Sequence, residues 1–185
     1  MTDRADFIVE DGSGVIGAES YVTVAEADAY HVKMGNAGWP QPESGADGSV
    51  QARKEAALRK AAVFLDAYVL HKANGEKKNP GQGLLFPRTG AVDYSGSPVD
   101  GNSVPAFYLK AQCEVALLAI SGVRLTVEEA AGPLLKRTKT DVLEKEWFEG
   151  GYGKKPVFGW LDSLLSGLFG PAVSGGTRVL PIARG

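Results

Sequence analysis

The sequence predicts a mainly α protein: a small helical bundle with a peripheral β-hairpin and extended N- and C-terminal arms. Three observations predict it. Several segments place apolar residues at helical spacing between recognisable start and stop signals. One later segment alternates polar and apolar residues instead. The 24 glycines collect in the N-terminal, loop and C-terminal stretches, as long irregular connections require. The implied organisation is an arm over residues 1–22, a helical core over 23–133, the hairpin over 134–150, and a short helix with an extended tail over 151–185.

The elements follow in order. Phe7–Val9 reads as a short strand and Glu10–Gly14 as a turn. Thr23 with Glu26 three residues later is a capping box, since hydroxyl and carboxylate each satisfy one orphan amide, and Gly35 ends that helix. Asn36 to Ser49 reads as a loop with Trp39 embedded in it. A second helix is expected from about Val50 to Ala73, with Leu58, Ala61, Leu65, Tyr68 and Val69 as its apolar stripe. Glu76 to Gly83 reads as a polar, mobile connection. Pro105 suits a first helical turn, and the helix it opens runs to about Ser121. Within it Val115–Ile120 has no polar side chain, which predicts burial on all sides. Leu58, Leu65, Leu109, Val115, Leu117, Leu118 and Ile120 are the expected core. A short amphipathic turn is expected from Thr126 to Ala131. Thr138, Thr140, Val142 and Trp147 alternate with charged residues as an exposed hairpin would. Leu161 to Phe169 reads as a final short helix with Leu161, Leu164, Leu165 and Leu168 on one face.

A chain of 185 residues suggests one domain, since domains cluster near ~100–150 residues. Twenty Lys and Arg against 22 Asp and Glu give a net charge of -2, so the chain as a whole carries no broad electrostatic footprint for DNA or anionic membrane. Cys113 is the single cysteine and is expected to be a buried, inert thiol. The first residues lack a hydrophobic signal core, and no apolar run approaches the ~18–20 residues that span a bilayer. A soluble protein made in a reducing cytoplasm, with no membrane partner, is expected.

No arrangement expected to do chemistry emerges, and no catalytic, metal or cofactor site is assigned. His31 and His71 are expected to be solvated or capping, and no His or Cys spacing fits zinc. Gly12-Ser-Gly14-Val-Ile-Gly17 matches G-x-G-x-x-G, but an extended run follows it rather than a helix, so a dinucleotide site is not expected. The acidic pairs Glu128–Glu129 and Glu144/Glu146 lie among other charges, as solvated surface does. For nucleic acid, Lys77–Lys78, Lys136–Lys139 and Lys154–Lys155 are small basic clusters, and Tyr94, Trp147 and Tyr152 offer stacking faces.

An ordered series of segments carries a family resemblance: Ser20-Tyr-Val-Thr-Val-Ala-Glu-Ala-Asp-Ala-Tyr30, Gly35-Asn36 with Trp39, Lys54-Glu-Ala-Ala-Leu-Arg59 with Leu65-Asp66, Phe86-Pro-Arg-Thr-Gly90, and Val104-Pro105 with Lys110-Ala-Gln112 and Ala116-Leu117. The series resembles small proteins of tailed phages and prophages described as DnaT-like single-stranded-DNA-binding proteins, and it is similar to head–tail connector (adaptor) proteins. The resemblance implies a structural adaptor in the virion neck, assembled in the host cytoplasm as a homo-oligomeric ring of twelve copies. Its implied partners are the portal protein, a stopper or tail-terminator protein, and genomic DNA passing without sequence-specific binding. On this reading Trp39, Arg88, Trp147, Phe158, Trp160, Arg178, Val179, Leu180, Ile182 and Arg184 are expected assembly contacts, with Arg88 binding either a carbonyl or carboxylate inside the fold or a neighbouring subunit. The alternatives are a single-stranded-DNA-binding or replication accessory protein and a tail-completion or stopper protein of the neck.

Overall fold

The computed structural model describes residues 7–40, 48–125, 138–140, 143–145 and 158–169. Among these residues the fold is mainly α, with four helices and a small antiparallel hairpin. Helix α1 spans Val24–Met34. It begins at the expected capping box: the Thr23 hydroxyl accepts the Glu26 amide at 3.1 Å, and the Glu26 carboxylate accepts the Thr23 amide at 2.7 Å. It ends where Gly35 enters the left-handed region at φ 69, a conformation glycine adopts without steric cost. Helix α2 spans Gly48–Val69, stopping short of Ala73 because the amides of Lys72 and Ala73 both turn back onto the Val69 carbonyl. Helices α3 and α4 span Ala106–Ile120 and Gly159–Phe169.

Two strand pairs accompany the helices. One is β3 (Thr138–Thr140) with β4 (Leu143–Lys145), in the segment whose alternation predicts a hairpin. The other, β1 (Glu76–Lys77) with β2 (Arg88–Thr89), is a correction to the expected mobile connection over Glu76–Gly83. That stretch is polar because its side chains satisfy nearby backbone. The Gln82 amide group donates to the carbonyls of Leu84 (2.9 Å) and Pro87 (3.1 Å), and its oxygen accepts the Asn79 amide at 3.0 Å. The Phe86–Pro87 peptide bond inside this turn is cis.

The core lies between α2 and α3, which run antiparallel: Tyr108 near the start of α3 meets Asp66 near the end of α2, and Gln112 meets Leu58. Leu58, Leu65 and Val115 are fully buried, each worth roughly 1.5–3 kcal/mol of apolar transfer. Leu109, Leu117, Leu118 and Ile120 are only partly buried, so the expected burial of Val115–Ile120 on all sides is corrected. The last turn of α3 faces the alanines Ala56 and Ala57 of α2, which are too short to cover it. Gln112 is buried and fully engaged: its amide group donates to the Ser20 hydroxyl (2.7 Å) and the Leu58 carbonyl (3.0 Å), while its oxygen accepts the Tyr21 amide at 3.0 Å.

Two carboxylates tie the outer elements to this core. Asp66 accepts the hydroxyls of Tyr21 (2.6 Å) and Tyr108 (2.8 Å) and the Leu85 amide (2.8 Å). Burial raises its pKa above the ordinary carboxylate value of 3.8, an effect these donors partly offset. Asp162 of α4 accepts the Tyr68 hydroxyl at 2.9 Å and the Lys72 ammonium at 3.0 Å, while Leu161, Leu165 and Leu168 bury the inner face of that helix.

Candidate nucleic-acid interface

The Gly-rich turn is built like an anion nest, and the chain fills it itself. Gly12, Gly14 and Gly17 all have positive φ (96, 83 and 77). The Glu10 carboxylate accepts the amides of Gly12 (2.9 Å), Gly14 (2.9 Å) and Val15 (2.8 Å). A phosphate has no room where this carboxylate sits.

Of the residues singled out in the sequence, Trp39 is buried within its own chain, at 1% exposure. Its indole N–H donates to Asp28 at 2.6 Å, and its ring stacks on His31 with centroids 4.5 Å apart. The Lys54 ammonium closes the cluster, 2.7 Å from the same Asp28 oxygen. His31 is therefore neither solvated nor capping, which corrects that expectation: it is fully buried between Tyr30 and Trp39, with Asn36 3.0 Å from Nδ1. Burial lowers its pKa below 6.5. The aromatic loop residue made this enclosure, and sequence spacing alone gave no sign of it.

Arg88 binds carbonyls inside the fold, donating to Asn74 O at 2.6 Å and Gly75 O at 2.5 Å. Phe158 packs edge-on against Phe64 at 5.2 Å, whereas Trp160 stands 42% exposed. Cys113 is buried, and burial pushes its thiol up to about 12. Among the basic clusters, Lys77 donates to the Gln82 carbonyl, and Lys78 clamps two loops by donating to Gly12 O (2.9 Å) and Asn102 Oδ1 (2.8 Å). Trp147, Tyr152, Lys154, Lys155, Arg178, Val179, Leu180, Ile182 and Arg184, with the turn at Thr126–Ala131, lie outside the described residues.

Among the described residues, one face of α2 is open to a ligand. Arg53 and Lys60, seven residues apart on the same side of the helix, flank an open groove of about 160 Å³ lined by Ala56, Ala57, Ala119 and Ile120. Neither cation has an ion-pair partner among the described residues. Their neighbours on α2 are neutralised, Lys54 by Asp28 and Arg59 by Glu19 at 2.8 Å. Sequence reasoning did not single out Arg53 and Lys60. The signal that marks them is a cation pair at i, i+7 with alanine between and no acid on that stripe. Helix geometry puts the two about 10 Å apart along the axis, far enough to meet separate phosphates of one strand. Exposed aromatics add stacking surfaces: Tyr94 (68%) on a turn whose Asp93 carboxylate accepts the Ser95 and Ser97 amides, Phe107 (49%) and Trp160.

The family described as "Putative DnaT-like ssDNA binding protein" matches residues 5–185, nearly the whole chain. No curated protein and no solved structure matches. The match overturns the expected head–tail connector in favour of the DnaT-like single-stranded-DNA-binding family that the same segments resemble. The physical reason for the misreading is visible in the fold. Tyr21, Lys54, Asp66, Arg88 and Gln112, all within the segments that carried the resemblance, have their polar groups engaged inside the protomer. They hold the protomer together. The chain belongs to the family described as "Putative DnaT-like ssDNA binding protein".

Proposed function

We propose that this protein binds single-stranded DNA as a replication accessory protein, with the open face of α2 holding the phosphate backbone. The observation that carries this reading is the pair Arg53 and Lys60, unneutralised among the described residues beside an alanine-lined groove free of carboxylates. Two cations at that spacing attract a polyanion whatever the sequence of its bases. The small alanine side chains between them let a sugar–phosphate chain approach the helix. A net charge of -2 does not oppose this, because binding follows the local potential rather than the total charge. A binding role fits the carboxylates Asp28, Asp66 and Asp162, each of which holds helices or loops together. Fluorescence polarisation of a labelled oligonucleotide, with wild type and the R53A/K60A pair at two salt concentrations, tests the reading. Salt-sensitive binding that the double substitution weakens supports it.

A further inference from the structure

The exposed aromatics of α3 and α4 form an arrangement that the fold itself does not use. Trp160 opens a stripe on α4 that continues through Ser163 and Gly167, both exposed. Helical spacing of seven residues puts Gly167 on the same side as Trp160, about 10 Å along the axis. There Phe107 of α3 meets α4: a Cβ built on Gly167 would lie 3.8 Å from Phe107 Cε2 and 4.0 Å from Cζ. The Phe107 ring thus rests against bare backbone. Trp160 and the Phe107 ring mark the two ends of one exposed strip of α4, with the Ser163 hydroxyl and Gly167 as the floor between them. Lys110 lies one turn along α3 from Phe107 and is exposed, with no ion-pair partner among the described residues.

Neither ring is a remnant of the core. The inner face of α4 is already covered through Leu161, Leu165 and Leu168, and Asp162 fixes the helix to Tyr68 and Lys72. A half-exposed tryptophan on a pinned helix is held ready for a flat ligand at little cost in ordering. We propose that Trp160 and Phe107 form a base-stacking platform for single-stranded nucleic acid, with Lys110 taking an adjacent phosphate. The proposal rests on the single-stranded-DNA-binding reading and assigns the bases a place distinct from the phosphate groove. Phe107 and Ala119 sit at opposite ends of α3, about 18 Å apart along its axis. An aliphatic partner has less to gain here, because the floor between the rings is polar or bare. Bases offer π-faces to both rings, and their backbone carries the charge that Lys110 matches.

The test uses a single-stranded oligo(dT) of about 20 nucleotides, an abasic strand of equal length, and the variants W160F, W160A and F107A of the full chain. The difference in tryptophan emission between wild type and W160F isolates the signal of Trp160. Oligo(dT) is expected to quench that signal and the abasic strand to leave it unchanged. In polarisation with the labelled oligonucleotide, W160A is expected to bind roughly tenfold more weakly and W160F to bind like wild type, the aromatic replacement guarding against loss of fold. If the labelled strand binds with its usual salt dependence but Trp160 emission is unmoved and W160A and F107A bind like wild type, the platform is refuted and strand binding through α2 stands. If no strand binds at all, both readings fall. A change in self-association on W160A with unaltered strand binding also refutes the platform.

Discussion

The Tyr21 hydroxyl donates to Asp66 at 2.6 Å while itself accepting the backbone amides of Leu85 (2.9 Å) and Phe86 (3.2 Å). One phenol therefore joins the N-terminal segment, α2 and the turn before β2, and Tyr108 adds α3 through the same carboxylate at 2.8 Å. The two rings meet edge-to-face with centroids 5.1 Å apart. Burial, followed by the charge of Asp66, raises both phenols well above their ordinary value of 10.0, so they act as fixed donors. Tyr21→Phe is expected to cost about 1–2 kcal/mol, as one buried hydrogen-bonding group is lost. Asp66→Ala, which strands two hydroxyls and the Leu85 amide, is expected to cost about 3 kcal/mol or more. Urea midpoints at unchanged slope measure both; an Asp66→Ala midpoint equal to wild type would show that the carboxylate ties nothing together.

His31 makes stability depend on pH in a stated direction. Its folded pKa lies below 6.5 because burial disfavours the charged ring, against the opposing pull of Glu114 and Asp28. The folded state therefore binds fewer protons than the unfolded state. The stability it contributes is fully present above the unfolded value of 6.5 and is lost as pH falls through the lower folded value. Between pH 7.5 and 5.5 the melting temperature of wild type is expected to drop, and that of His31→Phe to drop less. Parallel curves for the two proteins would remove His31 as the cause.

Asp162 is the polar anchor of α4. Replacing it with alanine leaves the Tyr68 hydroxyl and Lys72 without their common acceptor. The expected cost is about 1–3 kcal/mol, with faster amide exchange localised to Gly159–Phe169. Tyr68, held up to about 12 by burial and then by Asp162, is expected to ionise at lower pH in the variant, as read by ultraviolet difference absorption.

The internal carboxylate of the Gly-rich turn gives a fourth expectation. Glu10→Gln keeps one acceptor oxygen but removes the charge from three converging amides. A loss of about 1–3 kcal/mol is expected, since charge-assisted hydrogen bonds are the stronger kind. An unchanged urea midpoint would mean that the turn holds its shape without the carboxylate.

Much of the helical architecture was legible in the sequence because its signals are local. Thr23 and Glu26, Gly35, and Pro105 each act within one turn of backbone, and the helices begin and end at them or within a few residues. The hairpin around Thr138–Lys145 was legible from alternation for the same reason. The misreadings concern contacts distant in sequence. His31 is enclosed by Trp39 and its loop, the Glu76–Gly83 stretch is held by Gln82 and by pairing with Arg88–Thr89, and the last turn of α3 stays half open because α2 offers alanines there. The candidate groove was illegible because Arg53 and Lys60 look like any solvated helix charges until the neighbouring cations are seen to be paired. The segments most suggestive of a particular partner proved to be those that hold the protomer together.

The central claim is that the α2 face holds the phosphates of a single strand. Its most direct test is the salt dependence of oligonucleotide binding by wild type and the R53A/K60A double substitution, measured by fluorescence polarisation with a labelled oligo(dT). Wild-type affinity is expected to fall linearly on a log–log plot with a slope of about −0.7 per phosphate neutralised. The double substitution is expected to make that slope shallower by about two contacts' worth while leaving the urea midpoint unchanged. A wild-type affinity independent of salt, or a double variant that matches wild type in both affinity and slope, would contradict the account.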